Sequence, residues 1–143
     1  ITPNQFELGF LTGTDPHTLD ETLESAALAM ATGPKTILVT SVLRPDRPQD
    51  TIEMMAITAD GAWIVQTPHL PMKCNGSGDV TAALFTAHLT RTGDPGLALS
   101  NTVSSVYELL EVTQASGARE LQLIEAQEAY VNPRVVFAAR QIR

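Results

Sequence analysis

Three short segments carry side chains whose types and spacing suit chemistry. The first is Asn75-Gly76-Ser77-Gly78-Asp79, which stands directly before an apolar pattern of helical period. Two glycines within three residues let the backbone turn tightly and present bare N–H groups. The helix behind them adds its positive end. Together these suit a phosphate, or a phosphoryl group in transit. A carboxylate repels such an anion unless it faces an attacking hydroxyl. Placed that way, Asp79 takes the hydroxyl proton while the amides hold the charge that develops on the phosphoryl oxygens. The same residues also describe an ordinary loop into a capped helix.

The second segment is Thr2-Pro3-Asn4-Gln5-Phe6-Glu7. Asn4 and Glu7 are three apart, so on a helical turn their oxygens point the same way. Oxygen ligands of that kind suit Mg²⁺, which keeps several waters and takes one or two carboxylates. The competing reading is a helix start, with Asn4 as N-cap and Glu7 as its capping-box partner. The third segment is Thr40-Ser41, at the end of an apolar run. Ligands of open α/β sheets bind beyond the carboxyl ends of strands. Hydroxyls there can hold a phosphate or a monovalent cation, or simply end a strand. The other candidates are weaker. His17 and His88 are expected at the surface, and His69 could border a ligand. Cys74 and Trp63 are expected to pack, and Lys73 could offer a charge to a phosphate. No GxxxxGK[ST] segment exists, which excludes a Walker-type nucleotide site.

The elements that must position these residues follow from pattern. Thr18 to Ala31 reads as a helix opened by a Thr18/Glu21 capping box, with Leu19, Leu23, Ala26, Ala27 and Met30 on one face, and stopped by Gly33-Pro34. Thr36 to Leu43 is a near-continuous apolar run, expected as a strand covered on both faces. Arg44 to Asp50 is a polar loop with two prolines. Thr51–Thr58 and Ala62–Thr67 flank Asp60-Gly61, a hairpin signal that calls for positive φ. Pro68 to Gly78 is a loop. Asp79 to Arg91 reads as a helix with Val80, Ala83, Leu84 and Ala87 inward. Asp94-Pro95 opens another helix, running to about Ala115. Leu121 to Ala126 is expected as a strand, and Pro133 to Arg140 has no clear type. Alternating strands, helices and a hairpin place the chain in the α/β class, as one sheet with helices on both faces in three layers.

The chain has 143 residues, enough for one domain-sized core without disulfides, and no linker or repeat divides it. Charged residues are only 17% against 43% hydrophobic, so much of the chain is expected to be buried. Nine basic residues against 16 acidic give a net charge of −7, the wrong overall field for nucleic acid or an anionic membrane. No apolar run approaches the roughly 20 residues of a membrane span, and no stretch reads as a secretory leader. The one cysteine cannot close an intramolecular disulfide, which favours a reducing cytoplasm. The chain opens at Ile1 rather than at Met, and sequence upstream is expected.

Taken in order, TPNQFEL with Leu11-Thr12-Gly13, then ILVTSV, then NGSGDVTAALFTAHL resemble the pyridoxal kinases, a family of the ribokinase-like superfamily. The resemblance covers the whole chain, but only the C-terminal half of such a kinase. It implies a ribokinase-like three-layer fold and ATP-dependent phosphorylation of pyridoxal to pyridoxal 5′-phosphate. It implies Asp79 as the base for the 5′-hydroxyl, with the amides of Gly76, Ser77 and Gly78 as the anion hole. Glu7, with Asn4 nearby, supports Mg²⁺ through water. Thr40 and Ser41 touch the ATP phosphates, and Thr2 with Thr40 helps hold a monovalent cation, K⁺ or Na⁺. The hairpin and the loop from Thr67 through Leu70 to Pro71 border adenine, together with the helix after Pro95. Ser77 stands where the family more usually has Thr. The resemblance also implies a cytoplasmic homodimer in the full-length form. The N-terminal half would carry most of the pyridoxal pocket, a second acidic group near the metal and the lid. Two alternatives stay open. One is a ribokinase-like kinase for a sugar or a hydroxymethylpyrimidine, although the pyrimidine enzymes typically place Cys where this chain has Asp79. The other is a non-catalytic nucleotide-binding fragment.

Overall fold

A computed structural model describes residues 1–143 apart from position 73. Helix α1 (Gln5–Thr12) and helix α2 (Leu19–Met30) both open with a capping box, Asn4 with Glu7 and Thr18 with Glu21. Strands β1 (Thr36–Val42), β2 (Thr51–Thr58) and β3 (Gly61–Pro68) follow. Helix α3 (Ser77–Thr92) and helix α4 (Pro95–Ser116) come next, each closed by a glycine in the left-handed region. A 3₁₀ turn (Gln127–Tyr130) and strand β4 (Arg140–Gln141) complete the order.

The four strands form one sheet in the order β1-β2-β3-β4, every neighbour antiparallel. The free side of β1 is lined by the first residues of the chain. Leu38 N–H donates to Ile1 O and Thr40 N–H to Pro3 O, both at 2.9 Å, and Asn4 bridges Thr40 in the parallel sense. Helices cover both faces, as the uninterrupted run in β1 requires. Ile37 and Val39 join Leu8, Ala26 and Ala29 beneath α1 and α2. Leu38 joins Ala56, Phe85, Leu99 and Val103 beneath α3 and α4. Helix α4 is buried along most of its length, and its hydroxyls are satisfied locally: Thr102 donates to Ala98 O, Ser104 to Ser100 O and Thr113 to Leu109 O.

Several expectations are corrected. The hairpin turn lies one residue earlier than Asp60-Gly61, because Thr58 pairs with Gly61 and leaves Ala59-Asp60 as the corner. Neither corner residue has positive φ. Gly61 is required for a different reason: a Cβ there would stand 2.9 Å from Arg143 O, where the end of the chain crosses the hairpin. Helix α3 is rolled from its expected face. Thr81 and Phe85 are buried while Ala83 and Ala87 are exposed. Thr81 tolerates this because its hydroxyl donates to Ser77 O at 2.8 Å. Ala27 likewise lies outside the buried face of α2. Leu121 to Ala126 is not a strand. Its amides turn onto local partners, Leu123 N–H to Leu121 O and Ala126 N–H to Gln122 O, and Gln122 N–H onto Thr113 Oγ1.

Trp63 packs on α4 over Gly96, where a Cβ would sit 2.7 Å from the indole Cδ1. Gly96→Ala is therefore expected to destabilise the fold by about 1–3 kcal/mol, the usual cost of overpacking, although alanine favours helix. Chemical denaturation measures it. His88 is half-buried rather than at the surface, and its Nε2 has no hydrogen-bond partner among the described residues. Burial first, and Arg91 second, lower its pKa from the ordinary 6.5. The folded chain thus favours neutral imidazole. Its contribution is complete above the unfolded value near 6.5 and is lost as pH falls through the lowered folded value. An inert imidazole would leave the difference in melting temperature between wild type and His88→Leu the same at pH 5 as at pH 8. The expected result is a wild type that loses more stability over that range than the variant.

Candidate active site

The residues singled out in the three segments come together around one open cleft of about 550 Å³. Thr2, Asn4 and Glu7 line it from the start of α1, and Thr40 and Ser41 from the end of β1. Thr67 and Leu70 line it from the end of β3, and Ser77, Gly78 and Asp79 from the start of α3. Its apolar wall is Val103, Val106, Tyr107 and Leu110 of α4. The helix after Pro95 was expected at the border of adenine, and these four residues of it were not singled out in sequence.

At α1 the capping reading holds. Glu7 N–H donates to Asn4 Oδ1 and Asn4 N–H to Glu7 Oε2, both at 2.8 Å. The cap occupies one carboxylate oxygen of Glu7, whose side chain is exposed at the cleft. No cluster of three His, Cys, Asp or Glu exists among the described residues. A closed protein cage for a metal is therefore not formed by them. A single carboxylate with room for water is a donor set that fits Mg²⁺.

At β1 the ladder slips. Val39 pairs with Met55 and Val42 with Glu53, so Thr40 and Ser41 together oppose Met54. This is a β-bulge, a device that re-aims side chains at a strand end. Ser41 sits at φ 55°, the only non-glycine with positive φ among the described residues. Such strain persists only where the surroundings hold it. Both hydroxyl residues thus reach the cleft from consecutive positions, which an unbroken strand would forbid.

At α3 the N-cap is Gly76 at φ 85°, and no side chain caps the helix. Asn4, Thr18 and Asp94 cap α1, α2 and α4. Gly76 itself does not line the cleft; it makes the turn that brings Ser77, Gly78 and Asp79 to the wall. A Cβ on Gly78 would meet nothing within 4 Å, so the space above that residue is open cleft. Asp79 is exposed in the first turn.

The remaining candidates separate. His69 and Cys74 line the cleft, Cys74 half-buried with its thiol 3.6 Å from Arg119 O. His17 pairs with Asp15 at 3.1 Å on the surface. Lys73 lies outside the described residues. One feature of the site was missed in sequence. Arg44, in the polar loop, is buried against Glu53, with Nε to Oε2 at 2.6 Å and Nη2 to Oε1 at 2.9 Å. The hydrogen-bonded carboxylate raises the Arg44 pKa against the opposing effect of burial. Nothing periodic marks such a pair, because its partners belong to different elements.

Comparisons with known proteins agree on one group. A family model described as phosphomethylpyrimidine kinase matches residues 1–123. The chain is 66% identical over 142 residues to pyridoxal kinase PdxY of Leifsonia xyli subsp. xyli, and 54% identical over 142 residues to that of Corynebacterium diphtheriae. Both matches cover 99% of this chain and 50% of the relative, so the chain spans about half the length of the curated relatives it matches. Pyridoxal kinase from Leishmania donovani, solved with ADP and ginkgotoxin, superposes with a TM-score of 0.90 at 22% identity, over 99% of this chain and 50% of the other. The three-layer α/β arrangement is thus that of half a ribokinase-like fold. No helix among the described residues is long and apolar enough to cross a membrane.

Proposed function

The chain belongs to the phosphomethylpyrimidine kinase family, and from that premise we propose that it is the C-terminal half of a pyridoxal kinase, supplying the ATP-binding and catalytic-base side. The observation that carries this reading is the single cleft that joins an uncapped helix start, a carboxylate in its first turn and two hydroxyl residues on a bulge. The relatives named as pyridoxal kinases, at 66% and 54% identity, support pyridoxal as the acceptor. Asp79 in place of a cysteine supports it over a pyrimidine.

In this mechanism the 5′-hydroxyl oxygen of pyridoxal attacks the γ-phosphorus of ATP. Its proton passes to the Asp79 carboxylate as the O–P bond forms and the P–O bond to ADP breaks. The amides of Gly76, Ser77 and Gly78, where α3 begins, hold the charge on the phosphoryl oxygens, and the helix dipole adds to them. Thr40 and Ser41 bind the remaining phosphates through their hydroxyls, and Thr2, which lines the same cleft as Thr40, would help it hold a monovalent cation. Thr67 and Leu70 border the adenine. Glu7 would hold Mg²⁺ through water, and that ion, when bound, neutralises charge on the phosphate oxygens. Positioning and charge stabilisation supply most of the rate in such reactions. The family resemblance extends the proposal to a cytoplasmic homodimer of the full-length protein.

A pyridoxal phosphorylation assay with MgATP, run on this chain and on the longest product of its gene, tests the reading. Pyridoxal 5′-phosphate from the long form is the expected result. Product from neither, with pyridoxine and pyridoxamine also inert, would overturn it.

A further inference from the structure

We propose that Gln5, Arg44 and Glu53 form a positioning clamp. It holds the strained Thr40-Ser41 bulge and locks it to the Asn4/Glu7 segment. The proposal rests on the reading of that bulge as a phosphate-binding element.

The chain just past the bulge is gripped from two sides. On one side Gln5, in the first turn of α1, pairs its side-chain amide with both backbone groups of Leu43. Leu43 N–H donates to Gln5 Oε1 at 2.9 Å, and Gln5 Nε2 donates to Leu43 O at 3.2 Å. The same Nε2 donates to Pro16 O at 2.9 Å, which ties the grip to the chain between α1 and α2. On the other side Arg44, the next residue, forks onto Glu53 of β2 with both partners buried. Glu53 is also the residue that faces Val42 where the ladder resumes. Both grips are two-point contacts, which fix orientation as well as distance.

Their placement gives them a purpose beyond stability. A serine at φ 55° relaxes unless its neighbours over-determine it. The grips fall on the two residues that follow Val42, so they set where the bulge ends. Gln5 stands between Asn4 and Glu7, so the element that presents the carboxylate also holds the element that presents the hydroxyls. Losing a grip lets the hydroxyls drift relative to Glu7 without emptying the core, because Gln5 is only half-buried and Leu43 is exposed.

The test uses the longest product of the gene, with Gln5→Ala and Arg44→Lys. The lysine keeps the charge and loses the fork. Binding of MgADP is measured by calorimetry, alongside KM for ATP and for pyridoxal. The expected result is nucleotide affinity weakened about ten-fold or more in both variants, with KM for pyridoxal little changed, since small misplacements at a phosphoryl site carry large effects. A clamp that served stability alone would lower the melting temperature and leave nucleotide affinity of the folded protein unchanged. That outcome overturns the inference and leaves the kinase reading intact. If Arg44→Lys does not fold, Gln5→Ala decides. A wild-type protein that binds no MgADP overturns the kinase reading and this inference with it.

Discussion

Replacing Asp79 by Asn is expected to lower phosphorylation of pyridoxal by about 10²- to 10⁴-fold, the range of a lost general base. The substitution keeps the size and polarity of the side chain and removes only its ability to take a proton. Asp79 is exposed in the first turn of α3 and makes no cap, so the fold does not depend on it. Its carboxylate also stands close to where the ATP phosphates are proposed to lie. Removing that charge relieves repulsion, so nucleotide affinity is expected to stay within a few-fold of wild type or to rise. Steady-state kinetics with calorimetry separates the two effects. A variant with unchanged turnover would remove Asp79 as the base, and one that loses nucleotide binding equally would make it a binding residue.

Gly78→Ala is expected to divide stability from activity in the opposite way. The residue is helical, and a Cβ there touches no protein atom within 4 Å. Alanine is the better helix former, so stability should hold or rise by up to about 0.5–1 kcal/mol. The added methyl occupies the open cleft beside the first amides of α3, where the phosphoryl group is proposed to pass. Turnover should fall by roughly 10²-fold, as it does when oxyanion donors are obstructed or lost. A melt and an activity assay on one preparation suffice. Full activity in the stabilised variant would place the phosphoryl group elsewhere.

The candidate site was legible in sequence where its residues are close together in the chain. The glycines before Asp79, the Asn4/Glu7 spacing and the hydroxyl pair at Thr40-Ser41 each lie within a few residues, and each lines the cleft or turns the chain into it. Capping boxes at Asn4 and Thr18 and the Asp94-Pro95 helix start were legible for the same reason. What was not legible depends on packing across elements. The roll of α3 is decided by its contact with α4 and the sheet, which let Thr81 inward and left Ala83 and Ala87 outside. The reason for Gly61 is the distant Arg143 carbonyl, and the reason for Gly96 is an indole on strand β3. Of the buried Arg44–Glu53 pair, Arg44 sits in a stretch whose composition reads as a solvated loop, while Glu53 belongs to β2. The expected strand at Leu121 to Ala126 failed because β-branched and apolar content cannot reveal whether a partner edge is free to accept it.

The order of strands bears on how the site is assembled. In β1-β2-β3 each strand pairs with its neighbour in the chain, so these contacts close short loops and cost little chain entropy. The free margin of β1 is completed by contacts between segments 35 residues apart, such as Ile1 to Thr36. The meander can therefore zip before the first residues and α1 dock along it. Thr40 meets Pro3 and Leu43 meets Gln5 only at that second stage. Amide exchange should report this directly: protection at Met55 and Ile57 arises early in refolding, and protection at Thr40 and Leu43 arises late. On that order, the hydroxyls that face the cleft would acquire their geometry after the sheet that carries them.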